Sequence, residues 1–224
     1  VKFLSINVSS FDAHKHSSAS LIGDAKKCLE RLNHLLKNGG FSISVKYRAE
    51  IKQHKNDWNQ EVDRIFNLDN QPTVSQGEVI GIISNCMNEN DVVVCAAGSL
   101  PGDMHKLWRS VNGDQYHMEY GYSCMGYEIA GGLGIKMAKD SGDVFVMVGD
   151  GSYLMMNSEI VTAVQENEKL IIILINNHGF GSINGLSLSL GSKGFGNQYR
   201  KREGSSSDYT GDKLPVDYAA HAKS

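Results

Sequence analysis

The apolar positions change period several times along the chain, and each change marks an element. Val92–Ala96 behind Asp91, Val144–Val148 and Leu170–Ile175 are unbroken apolar runs rich in β-branched residues. Such runs mark strands buried on both faces, as in parallel sheets. Helical spacing fills the intervals. Val79, Ile80, Ile82 and Ile83 follow a Ser75-x-x-Glu78 capping box, and further helices are predicted over Met125–Lys139 and Met155–Gln165. Alternating strands and helices predict an α/β fold, a parallel sheet flanked by helices.

The flanks read differently. Residues 1–8 are strand-like, and Leu21, Ile22, Ala25, Cys28, Leu29, Leu32, Leu35 and Leu36 recur at helical spacing until Gly39-Gly40 ends the pattern. Residues 1–43 are expected to be the tail of an earlier domain, with 44–224 forming the α/β domain. Residues 44–67 are strongly polar, with Trp58, Val62, Ile65 and Phe66 as the apolar side of an exposed helix. Pro215–Ser224 reads as an unfinished helix, so the domain is expected to be truncated at its C-terminus. Asn184–Lys213, rich in glycine and serine and without periodicity, is expected to be a structureless loop over an active site.

Composition narrows the picture only a little. The chain has 224 residues, 41% hydrophobic and 21% charged, with a net charge of -3, which argues for neither nucleic acid nor a membrane surface. The basic run Arg200-Lys201-Arg202 is expected to be a solvated loop. Cys28, Cys86, Cys95 and Cys124 show no C-x-x-C spacing, which fits reduced thiols in a cytoplasmic protein. No apolar run approaches the roughly 20 residues a membrane span needs, and the N-terminus does not resemble a signal peptide.

The chemistry gathers at two strand ends. One strand ends in Gly149-Asp150-Gly151-Ser152, and the next ends in Asn176-Asn177. A right-handed crossover puts both carboxyl ends on one edge of the sheet, beside a helix N-terminus. Asp150, Asn177 and the Gly179 carbonyl are then hard oxygen ligands suited to Mg²⁺ or Ca²⁺ carrying a diphosphate. Gly149 and Gly151 allow close backbone approach, and Ser152 offers a hydroxyl to phosphate. The bland alternative makes Asp150 a helix N-cap. Gly131-Gly132-Leu133-Gly134 follows no strand and is not read as a dinucleotide fingerprint. A non-catalytic phosphate- or nucleotide-binding module using the same edge stays open.

Gly149-Asp150-Gly151, twenty-four further residues, then Asn176-Asn177 resembles the signature of thiamine diphosphate-dependent enzymes. The resemblance implies that Asp150, Asn177 and the Gly179 carbonyl hold Mg²⁺, and that Gly149, Gly151, Ser152 and Ser99 meet the diphosphate. The stretch Glu119–Gly134 is similar to the family's segment under the bent cofactor. There Met125 would wedge between the two rings, and Ser123, where many relatives have glycine, would accept from the pyrimidine amino group through its carbonyl. Ala97–Trp108, Tyr116–Gly126 and Asn177–Asn184 resemble most the family members that hydrolytically open a cyclic 1,2-dione in inositol breakdown. An acetolactate synthase-like enzyme condensing 2-oxoacids is the alternative within the family. The resemblance also implies that the activating glutamate comes from the N-terminal pyrimidine-binding domain of a partner subunit in a homodimer or homotetramer. This chain alone would then be inactive. Catalytic groups within it stay unassigned, with His105, His117 and His178 as candidates and Glu119 as a further substrate contact.

Overall fold

The structure is a computed structural model describing residues 2–224, so Val1, the first residue of the expected N-terminal strand, lies outside it. The chain divides into two compact units, one ending at Asn59 and the other Gln60–Ser224. In the first unit β1 (Leu4–Asn7), α1 (Ser10–Ala13) and β2 (Ala19–Ile22) form a two-stranded parallel sheet, followed by α2 (Ala25–Asn38). Leu21 and Ile22 therefore belong to a strand and not to the helix predicted to start there. Gly23 separates them from Asp24, whose side chain accepts from Lys27 N at 3.0 Å and starts α2. A short apolar run adjoining a helix shares its spacing, and only the pairing with β1 decides between the two. Helix α3 (Val45–Phe66) occupies the polar stretch as predicted.

The second unit is built on a four-stranded sheet. After α3 the order is α4 (Gln76–Cys86), β3 (Val92–Cys95), α5 (Ser99–Leu107), β4 (Tyr116–Met118), α6 (Tyr127–Ala138), β5 (Val144–Gly149), α7 (Asp150–Met155), α8 (Glu159–Gln165), β6 (Ile171–Ile175), α9 (Gly181–Ser189) and α10 (Tyr218–Lys223). The strands lie in the order β4-β3-β5-β6, all parallel. This is the α/β fold, a parallel sheet flanked by helices, that the apolar runs predict.

Alternation along the strands explains why the runs are unbroken. Val93, Cys95, Phe145 and Met147 pack on one face with Ile80, Leu100, Met104 and Leu107 of α4 and α5. Val92, Val94, Val144, Val146 and Val148 pack on the other with Ile129 of α6 and Tyr153 of α7. Both faces are covered, so neither set of alternating positions needs to be polar. Gly132 sits within α6 where a Cβ would collide with Val146, so the glycine-rich stretch sets a close helix–sheet approach.

Two further expectations are corrected, and two elements were not foreseen. The helix predicted over Met155–Gln165 is two helices, broken at Met156 (φ -147, ψ 70). The loop predicted from Asn184 begins inside α9; Ile183, Leu186 and Leu190 keep helical spacing despite the surrounding serines and glycines. Helix α5 and strand β4 carried no clear periodic signal, being nine and three residues long.

Candidate cofactor and cation site

The strand order reverses between β3 and β5. The chain leaves β3 for β4 on one side, then crosses back to β5 on the other. In parallel α/β sheets the crevice outside the carboxyl ends at such a reversal is where ligands bind. A pocket lies there. Ala97, Gly98 and Ser99 after β3, Gly149, Gly151 and Ser152 after β5, and Asn177 and Gly179 after β6 line it together with Met125. Gly98, with φ +99, and Gly149 have nothing within 4 Å of where a Cβ would stand, so both leave open space at the strand ends.

Asp150 is fully buried, at 0% exposure. It is not an N-cap: Gly149 holds that position, and Asp150 Oδ2 instead accepts from Gly179 N at 2.8 Å. The Asn177 amide oxygen faces only other acceptors, among them Asp150 Oδ1 and the Gly179 carbonyl. Turned over, its nitrogen would donate to them at 3.3 and 2.8 Å. Amide orientation is a matter of assignment, and the two orientations answer two conditions. With nitrogen inward the cluster satisfies itself; with oxygen inward, three oxygens from a carboxylate, an amide and a carbonyl converge on one point. A hard divalent cation needs that donor chemistry. Among the described residues no group of three or more His, Cys, Asp or Glu could hold a metal, and this set has only one such residue.

Aromatic side chains back this cluster. Tyr199 and Tyr218 are both pushed above the usual phenol range, first by burial and then by the neighbouring Asp150 carboxylate, Tyr218 to about 12. Both phenols therefore stay protonated beside it. Phe180 lies against Gly151, where a Cβ would come within 2.8 Å of its ring, and stacks edge-on with Tyr199 at 5.6 Å. Gly179 takes φ +142 and is bridged to Gln198, which leaves no room for a side chain.

The remaining expected residues sit elsewhere. Ser123 is exposed with φ +53, a left-handed backbone that glycine adopts readily. It does not line the pocket, and neither do the three histidines. His117 Nε2 lies 2.8 Å from the Tyr127 hydroxyl, with the rings stacked. His105 stacks on Tyr120. His178 has φ +62, and its backbone N donates to Asn176 Oδ1 while its carbonyl accepts from Tyr199 N. Glu119 accepts from Tyr122 N and Cys124 N, and these backbone bonds hold its carboxyl below the usual range. It shapes the loop leading to Met125. Sequence reasoning missed Gln76, Leu100, Ile175, Phe180 and Ile183, which also line the pocket. Leu100, Ile175 and Phe180, beside Ser99, the Asn176-Asn177 pair and Gly179, had a positional signal; Gln76 and Ile183 had none.

Ser152 lines the pocket, and its hydroxyl is engaged behind it, donating to Glu128 Oε2 at 2.7 Å and accepting from Gly126 N at 2.6 Å.

Comparison with known proteins points the same way. The family described as thiamine pyrophosphate enzyme, C-terminal TPP binding domain, matches residues 96–224. The chain is 38% identical to a 3D-(3,5/4)-trihydroxycyclohexane-1,2-dione hydrolase of Clostridium botulinum over 246 aligned positions, covering 100% of the chain and 38% of that relative. It is 37% identical to the protein of that name from Clostridium tetani, with 100% and 38% covered, and 41% identical to that of Bacillus cereus, with 99% and 38% covered. The chain thus spans 38% of the length of these curated relatives.

Proposed function

The chain belongs to the thiamine pyrophosphate enzymes, and from that premise we propose that it supplies the Mg²⁺–diphosphate half of a cyclic-dione hydrolase site. The reaction is hydrolytic C–C ring opening of trihydroxycyclohexane-1,2-dione to 5-deoxy-glucuronate in myo-inositol catabolism. The observation that carries this reading is the convergence of the Asp150, Asn177 and Gly179 oxygens beside a pocket at the strand-order reversal. The similarity to hydrolases of that name supports the substrate.

When bound, thiamine diphosphate supplies a nucleophilic carbon and an electron sink for C–C cleavage. The residues here anchor and orient it. Asp150 Oδ1, Asn177 Oδ1 and the Gly179 carbonyl hold the cation, and the Gly179 N–H keeps the other Asp150 oxygen fixed. Ser99, Gly149 and Gly151 border the diphosphate, with backbone contacts of Ser152 replacing its committed hydroxyl. Met125, which lines the pocket, would support the middle of the cofactor, and the carbonyl of Ser123 would serve the pyrimidine. The pyrimidine-binding domain of a partner subunit in a homodimer or homotetramer closes the site and brings the activating glutamate. Residues 1–43 belong to a preceding central domain. Four free cysteines, one of them buried, support a cytoplasmic setting, and no helix among the described residues is long and apolar enough to cross a membrane.

Calorimetry with thiamine diphosphate and Mg²⁺ tests the half-site, with ATP and NAD as competitors. Binding of thiamine diphosphate only in the presence of Mg²⁺ is expected; preference for ATP or NAD would sink the reading. Product analysis with the full-length protein separates the substrates. Consumption of the cyclic dione is expected, and acetolactate formed from pyruvate would reassign it.

A further inference from the structure

Resting on this reading, we propose that Glu128 is a positioning residue that holds three walls of the cofactor pocket in register from behind. Glu128 lies in the first turn of α6 and is 1% exposed. Its Oε1 accepts from Ala97 N at 3.3 Å, and its Oε2 from Gly126 N at 3.0 Å and the Ser152 hydroxyl at 2.7 Å. All three partners are buried. Ala97 leads into Gly98 and Ser99, Gly126 follows Met125, and Ser152 follows Gly151. One side chain therefore joins the three segments that present Ser99, Met125 and Gly151 to the pocket.

A carboxylate suits this place because it only accepts, with lone pairs for about four donors. A glutamine would turn an N–H toward one of the three. Taking a carboxylate out of water is costly unless its oxygens are met, so the three donors are held as firmly as they hold it. The linkage reaches Met125 through Gly126. Gly126 has φ +93, and a Cβ there would stand 2.7 Å from Met156 Cβ, so only glycine lets the segment pass Met156 this closely. The Ser152 hydroxyl, receiving Gly126 N and donating to Glu128, closes the cluster.

The test uses the full-length protein with Glu128→Ala and Glu128→Gln, followed by calorimetry with thiamine diphosphate and Mg²⁺ and by amide hydrogen exchange without cofactor. Glu128→Ala is expected to weaken binding at least about tenfold, since it leaves buried donors unpaired. It should also speed exchange at Ala97 and Gly126 by roughly tenfold while Val146 stays protected. Glu128→Gln keeps one acceptor for Gly126 N and Ser152, so most of the affinity returns and only the Ala97 amide exchanges faster. That variant carries the test if the alanine protein does not fold. Absence of binding by the unsubstituted protein overturns the cofactor reading and this role together. Normal binding by it, with affinity or amide protection unchanged in Glu128→Ala, overturns this role alone, as does equal loss in both variants.

Discussion

Asp150 stands at the end of β5, whose residues Val146, Met147 and Val148 are 0–1% exposed, and Gly179 follows the half-buried β6 paired to it, whereas the segment from Leu190 to Asp217 leaves Leu190 87% and Phe195 63% exposed. The strand ends fix their groups through buried bonds: Gly179 N to Asp150, Ala97 N and Gly126 N to Glu128. The later segment turns through Gly191, Gly194, Gly196 and Gly204 at positive φ and joins the site where Gly179 is bridged to Gln198. The two regions adjoin but are held by different means. Converging oxygens need placement to a fraction of an ångström, which a sheet packed on both faces supplies and a solvated segment does not.

Weakening the strand support should break that comparison most severely. Met147→Ala removes a fully buried side chain from the core beside α4 and α5, and a loss of about 2–5 kcal/mol is expected in urea unfolding. A loss below about 1 kcal/mol would mean that the core tolerates cavities and is no rigid base. Asp150→Asn asks a narrower question. Its amide oxygen can still accept from Gly179 N, while its N–H₂ meets the Asn177 amide oxygen. The apo protein should therefore melt no lower than the original. Mg²⁺-dependent thiamine diphosphate binding should fall about hundredfold, as expected when the charge at a cation is removed. Unchanged affinity in calorimetry would remove the cation from this cluster.

The same contrast explains what could be read from the chain beforehand. The unbroken runs at 92–96, 144–148 and 171–175 announce a buried parallel sheet because both faces demand apolar residues, and the groups just beyond such runs must share an edge. Asp150, Asn177 and Ser99 were legible for that reason, whereas Met125 came from the family resemblance alone. Gln76 and Ile183 line the pocket from the starts of α4 and α9, and no local pattern encodes where those helices come to lie. The partners of Glu128 lie up to 31 positions away, so its burial was visible as a problem but not as an answer. For the histidines, a ring near a motif carries no sign of where it points; His117 turns to Tyr127. Helix α9 was hidden by serines and glycines that are poor helix formers.

A smaller effect sharpens how the pocket's α4 wall is set. Gln76 begins α4, and the capping box pins that turn: Glu78 Oε2 accepts from Ser75 N at 2.7 Å, and Ser75 Oγ from Glu78 N at 3.2 Å. The backbone and side chain of Ser75, then the backbone of Asn70, lower the Glu78 carboxyl from 4.5 to about 2. A depressed carboxyl stabilises the fold above its unfolded pKa, and that contribution fades as pH falls from about 4.5 toward 2. Thermal melts of Glu78→Gln should lie below the original at pH 7, and the gap should close across that window. A gap constant down to pH 3 would assign the effect to shape instead of charge.

The least effect belongs to the solvated segment, and its smallness is what the comparison requires. Leu190→Ser replaces a side chain already 87% exposed just after α9. Surface changes of this kind stay within about 0.5 kcal/mol, so unfolding and cofactor binding should both be unmoved. Arg200→Ala goes a step further, since its guanidinium bonds Gln198 and the Gly211 carbonyl within the segment. If the segment is only attached to the site at Gly179, this loss should loosen residues 200–213 in hydrogen exchange without changing Mg²⁺-dependent binding. Weaker binding in Arg200→Ala with an unchanged melting temperature would show that the segment shares in holding the ligand. The boundary between rigid edge and soft cover would then have to be drawn further along the chain.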